Sequence, residues 1–83
     1  MSPKTQIESL LFISPKPLSV KSLIGLLNKG TVKFTEEEIL TSIAELKLKY
    51  NFPESGVQLI EAGDGFQFVT NQENADLVKK FLK

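Results

Sequence analysis

Eighty-three residues with 41% hydrophobic content suffice for one domain with a single core, and leave little room for a deep substrate cavity. The absence of cysteine and histidine removes disulfides, thiol and His-based nucleophiles and the common zinc ligands. No apolar run approaches the ~18 residues of a membrane span, and no secretory signal pattern opens the chain. The zero net charge conceals segregation. Residues 1–33 hold five lysines and one glutamate, residues 34–78 nine acids and two lysines, and residues 79–83 three lysines. Such blocks can orient a protein partner or simply solvate helix faces.

The whole chain reads as one domain, 1–83, without repeats, low-complexity tracts or an interdomain linker. Ser2 is placed to cap a first helix with Pro3 at its first position. Ile7, Leu10 and Leu11 share one face of that helix. Phe12 and Ile13 fall on other faces, so the helix is apolar nearly all round and calls for cover on more than one side. Ser14-Pro15-Lys16-Pro17 stops it, and Leu18 can form one short bridge to a strand. Ser19 caps a second helix with Val20, Leu23, Ile24 and Leu27 as its buried stripe. Gly25 within it either allows close helix approach or is tolerated at about 1 kcal/mol relative to alanine. Gly30 suits a left-handed cap at its end.

The third helix has the strongest local signature. Thr35 and Glu38 form a capping box, and Phe34 and Ile39 a hydrophobic staple. Glu36 and Glu37 suit the positive end of the helix dipole, so these acids need no catalytic explanation. Ile39, Ile43, Leu46 and Tyr50 make the core stripe. Leu40, Ala44 and Leu48 make a second stripe that drifts away from it. Pro53 bars further helix. Val57, Leu59, Phe66 and Phe68 then alternate as strand faces do. Asp64-Gly65 is read as a two-residue hairpin turn with positive φ at both positions, which sets Ile60 opposite Val69 on the outer face. Asn71 caps a last helix whose Leu77, Val78 and Phe81 are expected to return to the core.

The order predicts an α+β winged helix-turn-helix: three helices, a two-stranded wing hairpin and a C-terminal helix. That fold invites a DNA-binding reading, which the charges oppose. Recognition helices approach phosphates closely and rely on lysine and arginine. The chain has no arginine, its third helix holds four glutamates against two lysines, and its wing carries Glu61 and Asp64 with no base. Lys16, Lys21, Lys29 and Lys33 offer a weak alternative nucleic-acid face without an interleaved aromatic. Catalytic residues, metal ligands and cofactor sites are not expected: Gly63-Asp64-Gly65 precedes no helix, and Glu61, Asp64, Glu73 and Asp76 lack calcium-loop spacing. What remains is a protein-binding module, with Phe12, Ile13, Leu48, Ile60 and Val69 as candidate interface residues.

The segments IESLLFIS, PLSVKSLIGLL, EEEILTSIAELKLKY, GVQLIEAGDGFQFVTN and VKKFL, in this order and spacing, resemble the N-terminal domain of the bacterial segregation and condensation protein B family from about Ile7 to Leu82. The resemblance implies a non-enzymatic winged-helix homodimer that joins a kleisin subunit and an SMC ATPase in the bacterial condensin complex. It implies a cytoplasmic protein, nucleoid-associated through that complex; no membrane contact is expected, and the charges oppose direct DNA binding. Family proteins carry a second winged-helix domain, so the chain corresponds to the N-terminal half. A winged-helix DNA-binding transcriptional regulator is the alternative.

Overall fold

A computed structural model describes residues 2–83. The elements run α1 (Lys4–Ile13), β1 (Leu18–Ser19), α2 (Val20–Leu27), α3 (Glu36–Tyr50), β2 (Val57–Ala62), β3 (Gly65–Thr70), a 3₁₀ turn (Gln72–Asn74) and α4 (Ala75–Leu82). The three helices α1–α3 pack on one face of an antiparallel sheet of order β1-β3-β2. This is the expected winged helix, with the Leu18 bridge enlarged into a third, two-residue strand.

The core is the set of side chains that the helical stripes bring together. Ile7 and Leu11 of α1, Leu23 of α2, and Ile39, Ile43 and Leu46 of α3 meet Leu59 and Phe66 of the hairpin, and Phe34 closes one end. The capping box of α3 forms as the sequence dictates. The Thr35 hydroxyl accepts from the Glu38 N–H at 3.1 Å, and the Glu38 carboxylate accepts from the Thr35 N–H at 2.9 Å. Phe34 and Ile39 are both buried, as the staple requires. α1 starts one residue later than expected: Pro3 occupies the cap position and its carbonyl accepts from Ile7 N–H at 2.9 Å. The Ser2 hydroxyl reaches only Lys4 N–H, at 3.4 Å.

Two glycines play other parts than their sequence context suggests. The strand register pairs Ala62 with Gly65, so the hairpin loop is Gly63-Asp64 rather than Asp64-Gly65. Among the described residues only Gly63 has positive φ, at 61°. Positive φ at the first loop position alone is the II′ pattern, which needs glycine there and tolerates aspartate next. Gly65 lacks a side chain for a different reason. A Cβ there would stand 2.7 Å from the Leu18 carbonyl carbon, because β1 lies hard against this point. The shift moves the register by two, so Ile60 faces Gln67 and Val69 faces Gln58. Ile60 and Val69 still share the outer face, as diagonal neighbours. Gly25 has nothing within 4 Å of its would-be Cβ, so close helix approach is not its role.

Gly30 is not left-handed either. The turn after α2 is closed by Asn28, whose side chain accepts from Phe34 N–H at 2.7 Å and donates to the Phe34 carbonyl at 2.9 Å. Asn51 repeats the device after α3, pairing both its amide groups with the backbone of Leu59 at 2.8 Å. Each asparagine acts as one residue of a strand partner and satisfies two backbone groups at once.

α4 departs from expectation most. Asn71 caps the 3₁₀ turn, accepting from Glu73 N–H, and α4 begins only at Ala75. None of its residues is buried, and its principal contacts are with the turn before it. Leu77 is 69% exposed and Phe81 85%, so neither returns to the core. The radius of gyration, 13.9 Å, exceeds the ~12 Å of a compact chain this long, and the longest dimension is 44 Å. α4 is an arm. No helix of the described residues is long and apolar enough to cross a membrane.

Candidate protein interface

α1 turns Ile7 and Leu11 inward, which by helical spacing turns Glu8, Phe12, Ser9 and Ile13 outward. The hairpin's inner face meets this surface from the other side. Leu59 and Phe66 lie under the helices, Phe68 on the same face packs against the core, and Val57 beyond it is exposed. Between the two surfaces, at the C-terminal end of α3, lies an open groove of about 510 Å³. It is lined by Phe12, Ile13, Val57 and Phe68 with Glu8, Ser9 and Tyr50.

The polar groups of the groove satisfy one another. The Tyr50 hydroxyl donates to a Glu8 carboxylate oxygen, and Lys49 Nζ donates to the same oxygen at 3.2 Å. The Tyr50 hydrogen bond, aided by Lys49, holds the Glu8 carboxyl below its usual range despite partial burial. The same bond pushes the Tyr50 phenol up, since ionisation would set two anions together. Tyr50 also packs edge-to-face on Phe68, with ring centroids 4.8 Å apart. The remaining lining is apolar.

The five candidate interface residues separate into three places. Phe12 and Ile13, 79% and 75% exposed, form one wall of the groove. Leu48 is 83% exposed on α3 and does not line it. Ile60 and Val69 lie on the outer sheet face. Val57, Phe68 and Tyr50 are groove residues that sequence reading assigned to the core or left as strand residues. Strand alternation places Val57 and Phe68 on the inner face. Of the two, Val57 is left exposed, while Phe68 is half-buried against the core.

The lysines of α3 are engaged within the domain. Lys47 reaches Glu61 of the wing at 2.9 Å and lies over the Phe66 ring, while Lys49 pairs with Glu8. Both lysines of α3 thus have carboxylate partners. Lys16, Lys21, Lys29 and Lys33 are exposed in and around α2, and Lys33 donates to the Asn28 carbonyl.

These features have close parallels. A family model described as segregation and condensation complex subunit ScpB matches residues 5–83. This chain belongs to the ScpB family. It is 43% identical over 77 residues to segregation and condensation protein B of Clostridium acetobutylicum and 34% identical over 79 residues to that of Alkaliphilus oremlandii. Those alignments cover 93% and 95% of this chain but only 36% and 40% of the two relatives. Among solved ScpB structures, a crystal structure of a dimer of the ScpB N-terminal domain complexed with a ScpA peptide superimposes with a TM-score of 0.77 at 32% identity. That match covers 94% of this chain and 91% of the other. A conserved hypothetical protein from Chlorobium tepidum superimposes with a TM-score of 0.72 at 28% identity, across 46% of its length.

Proposed function

We propose that this domain is a non-enzymatic dimerisation and scaffolding module of a condensin-type SMC–kleisin complex that acts in chromosome condensation and segregation. The observation that carries the reading is the match, over nearly the full length of both chains, to an ScpB N-terminal domain that is a dimer bound to a ScpA peptide. The geometry supports it. The winged helix keeps its shape while the lysines of α3 are paired with carboxylates, and apolar side chains stand in a groove instead. The short span relative to curated ScpB relatives agrees with the N-terminal half of a two-domain protein. Self-association through Phe12 and Ile13 and engagement of a kleisin segment are the activities expected of it, with the SMC ATPase reached through the complex.

Light scattering after gel filtration tests the first activity. A mass of twice 9.2 kDa is expected at high micromolar concentration, and a monomer throughout would sink the reading. Titration with a fluorescent kleisin-derived peptide tests the second, with saturable binding as the expected result. Tight, salt-sensitive binding to short duplex DNA, lost when Lys21 and Lys29 become glutamate, would instead favour a DNA-binding regulator.

A further inference from the structure

One candidate interface residue, Leu48, lies outside the groove, and the face that carries it has a pattern of its own. α3 turns Ile39, Ile43 and Leu46 inward. Helical spacing then sets two parallel rows on its outer side, each at four-residue steps. Leu40, Ala44 and Leu48 form an apolar row, with Leu40 42% and Leu48 83% exposed. Glu37, Thr41 and Glu45 form an acidic row beside it, also exposed. Next to the acidic row, between α3 and the segment entering α1, lies an open groove of about 350 Å³. It is lined by Glu37, Glu38 and Glu45 with Ser2, Thr41 and Ser42. Glu38 is engaged by the capping box, and Lys4 reaches Glu45 at 3.8 Å. Glu37 has no ion-pair partner among the described residues, and both lysines of α3 turn to Glu8 and Glu61 instead.

We propose that this outer face of α3 is a second interaction surface, and that it takes a basic amphipathic helix of another protein. The inference goes beyond the self-association reading and does not rest on it. Three observations select that occupant. First, the apolar row runs at four-residue steps with a small residue, Ala44, between two leucines. Such a row leaves a notch into which the similarly spaced ridge of a second helix packs. The row spans about 12 Å, about two turns, so apolar side chains one turn apart on the partner fill it. Second, the acids stand beside that row and not within it. A lysine or arginine flanking the partner's apolar stripe therefore meets Glu37, or enters the groove between Glu37 and Glu45, while the stripe meets the leucines. Third, the same charges oppose the other ligand of such a helix. α3 is the second helix of the helix-turn-helix, which in DNA complexes approaches phosphates, and phosphates are repelled by the carboxylates here. One helix laid on two turns covers less than the ~1,200 Å² of a standard interface, so the contact belongs to the weak, transient class.

Chemical-shift mapping on the isotope-labelled chain is the test. The probe is a synthetic helical peptide with leucines at i, i+3, i+4 and i+7 and lysines on both flanks. Saturable shifts within residues 37–48 are expected, and they weaken as salt is raised. Leu48→Asp places a charge in the apolar row and is expected to raise the Kd at least about tenfold. Glu37→Lys combined with Glu45→Lys should lose the lysine peptide and gain a matching peptide that carries glutamates in place of its lysines. A leucine surface that merely adheres to apolar peptides would not exchange its preference in this way. All three positions are exposed, and the spectrum itself reports whether each variant is folded. Shifts confined to Phe12, Val57 and Phe68 place the peptide in the other groove and overturn the proposal. Equal affinity for the two peptides overturns it, as does the absence of shifts up to roughly 1 mM peptide. Short duplex DNA that shifts the same residues overturns it in favour of a nucleic-acid surface. Self-association weakened by Leu48→Asp places a second copy on this face and also overturns it. A wild-type chain that stays monomeric overturns the self-association reading and leaves this surface standing, so the two fail separately.

Discussion

α3 and α4 look alike in the sequence and end in opposite environments. Each has acids in its first turn, lysines in its last and an apolar stripe at helical spacing. α3 lays Ile39, Ile43 and Leu46 into the core, all at most 2% exposed, and is sealed at both ends by side-chain hydrogen bonds. α4 has no side-chain cap bond at its start and no buried residue. Periodicity states which side of a helix is apolar. It does not state whether anything covers that side, because cover is supplied by distant segments or by another molecule.

Three measurements bear on this contrast, and the largest concerns the stripes themselves. Leu46→Ala removes a fully buried side chain and is expected to cost about 2–5 kcal/mol, a fall in Tm on the order of 10 °C or more. Leu77→Ala, at the corresponding type of position on α4, should change stability by less than about 0.5 kcal/mol in dilute solution where the chain is monomeric. Equal losses at the two sites would show that α4 packs on its own domain. The caps come next. Thr35→Ala should cost about 1 kcal/mol by leaving the Glu38 N–H without its partner, while Asn74→Ala should be neutral within about 0.5 kcal/mol. Urea denaturation resolves the difference.

The smallest expected effect is at the end of α3. Glu8 titrates below its usual range in the folded chain, so its contribution is present above the ordinary carboxylate value. It is lost as pH falls through the lower, folded-state value. Tyr50→Phe removes the main cause. The stability gap between wild type and variant should be under about 1 kcal/mol at neutral pH and should close as the solution becomes more acidic than the carboxylate range. A gap independent of pH would mean that Tyr50 acts through packing on Phe68 alone.

Local interactions were the most legible. The capping box at Thr35 and Glu38, the staple of Phe34 on Ile39 and the stops at the prolines involve residues within a few positions of each other, and all appear as read. The hairpin was legible as a hairpin but not in register. Asp64-Gly65 carries the composition of one turn type, yet the chain uses Gly63-Asp64, because β1 needs the bare backbone of Gly65 beside Leu18. That contact joins residues far apart in sequence. The clamps made by Asn28 and Asn51 were invisible for the same reason: an asparagine after a helix suggests a cap, and the partner backbone at Phe34 or Leu59 becomes evident only in space.

The candidate interface divides along the same line. The sequence by itself determined that α1 has more apolar surface than one core contact can use, that the chain lacks arginine, cysteine and histidine, and where α2 and α3 begin. These follow from composition and from short-range hydrogen bonds and spacing. Only the tertiary structure decided that Phe12 and Ile13 face Val57 and Phe68 across a groove, that Lys47 and Lys49 have carboxylate partners, and that Leu77 and Phe81 remain outside. Those outcomes depend on which segments meet in space. That is set by packing between segments that the local pattern cannot relate.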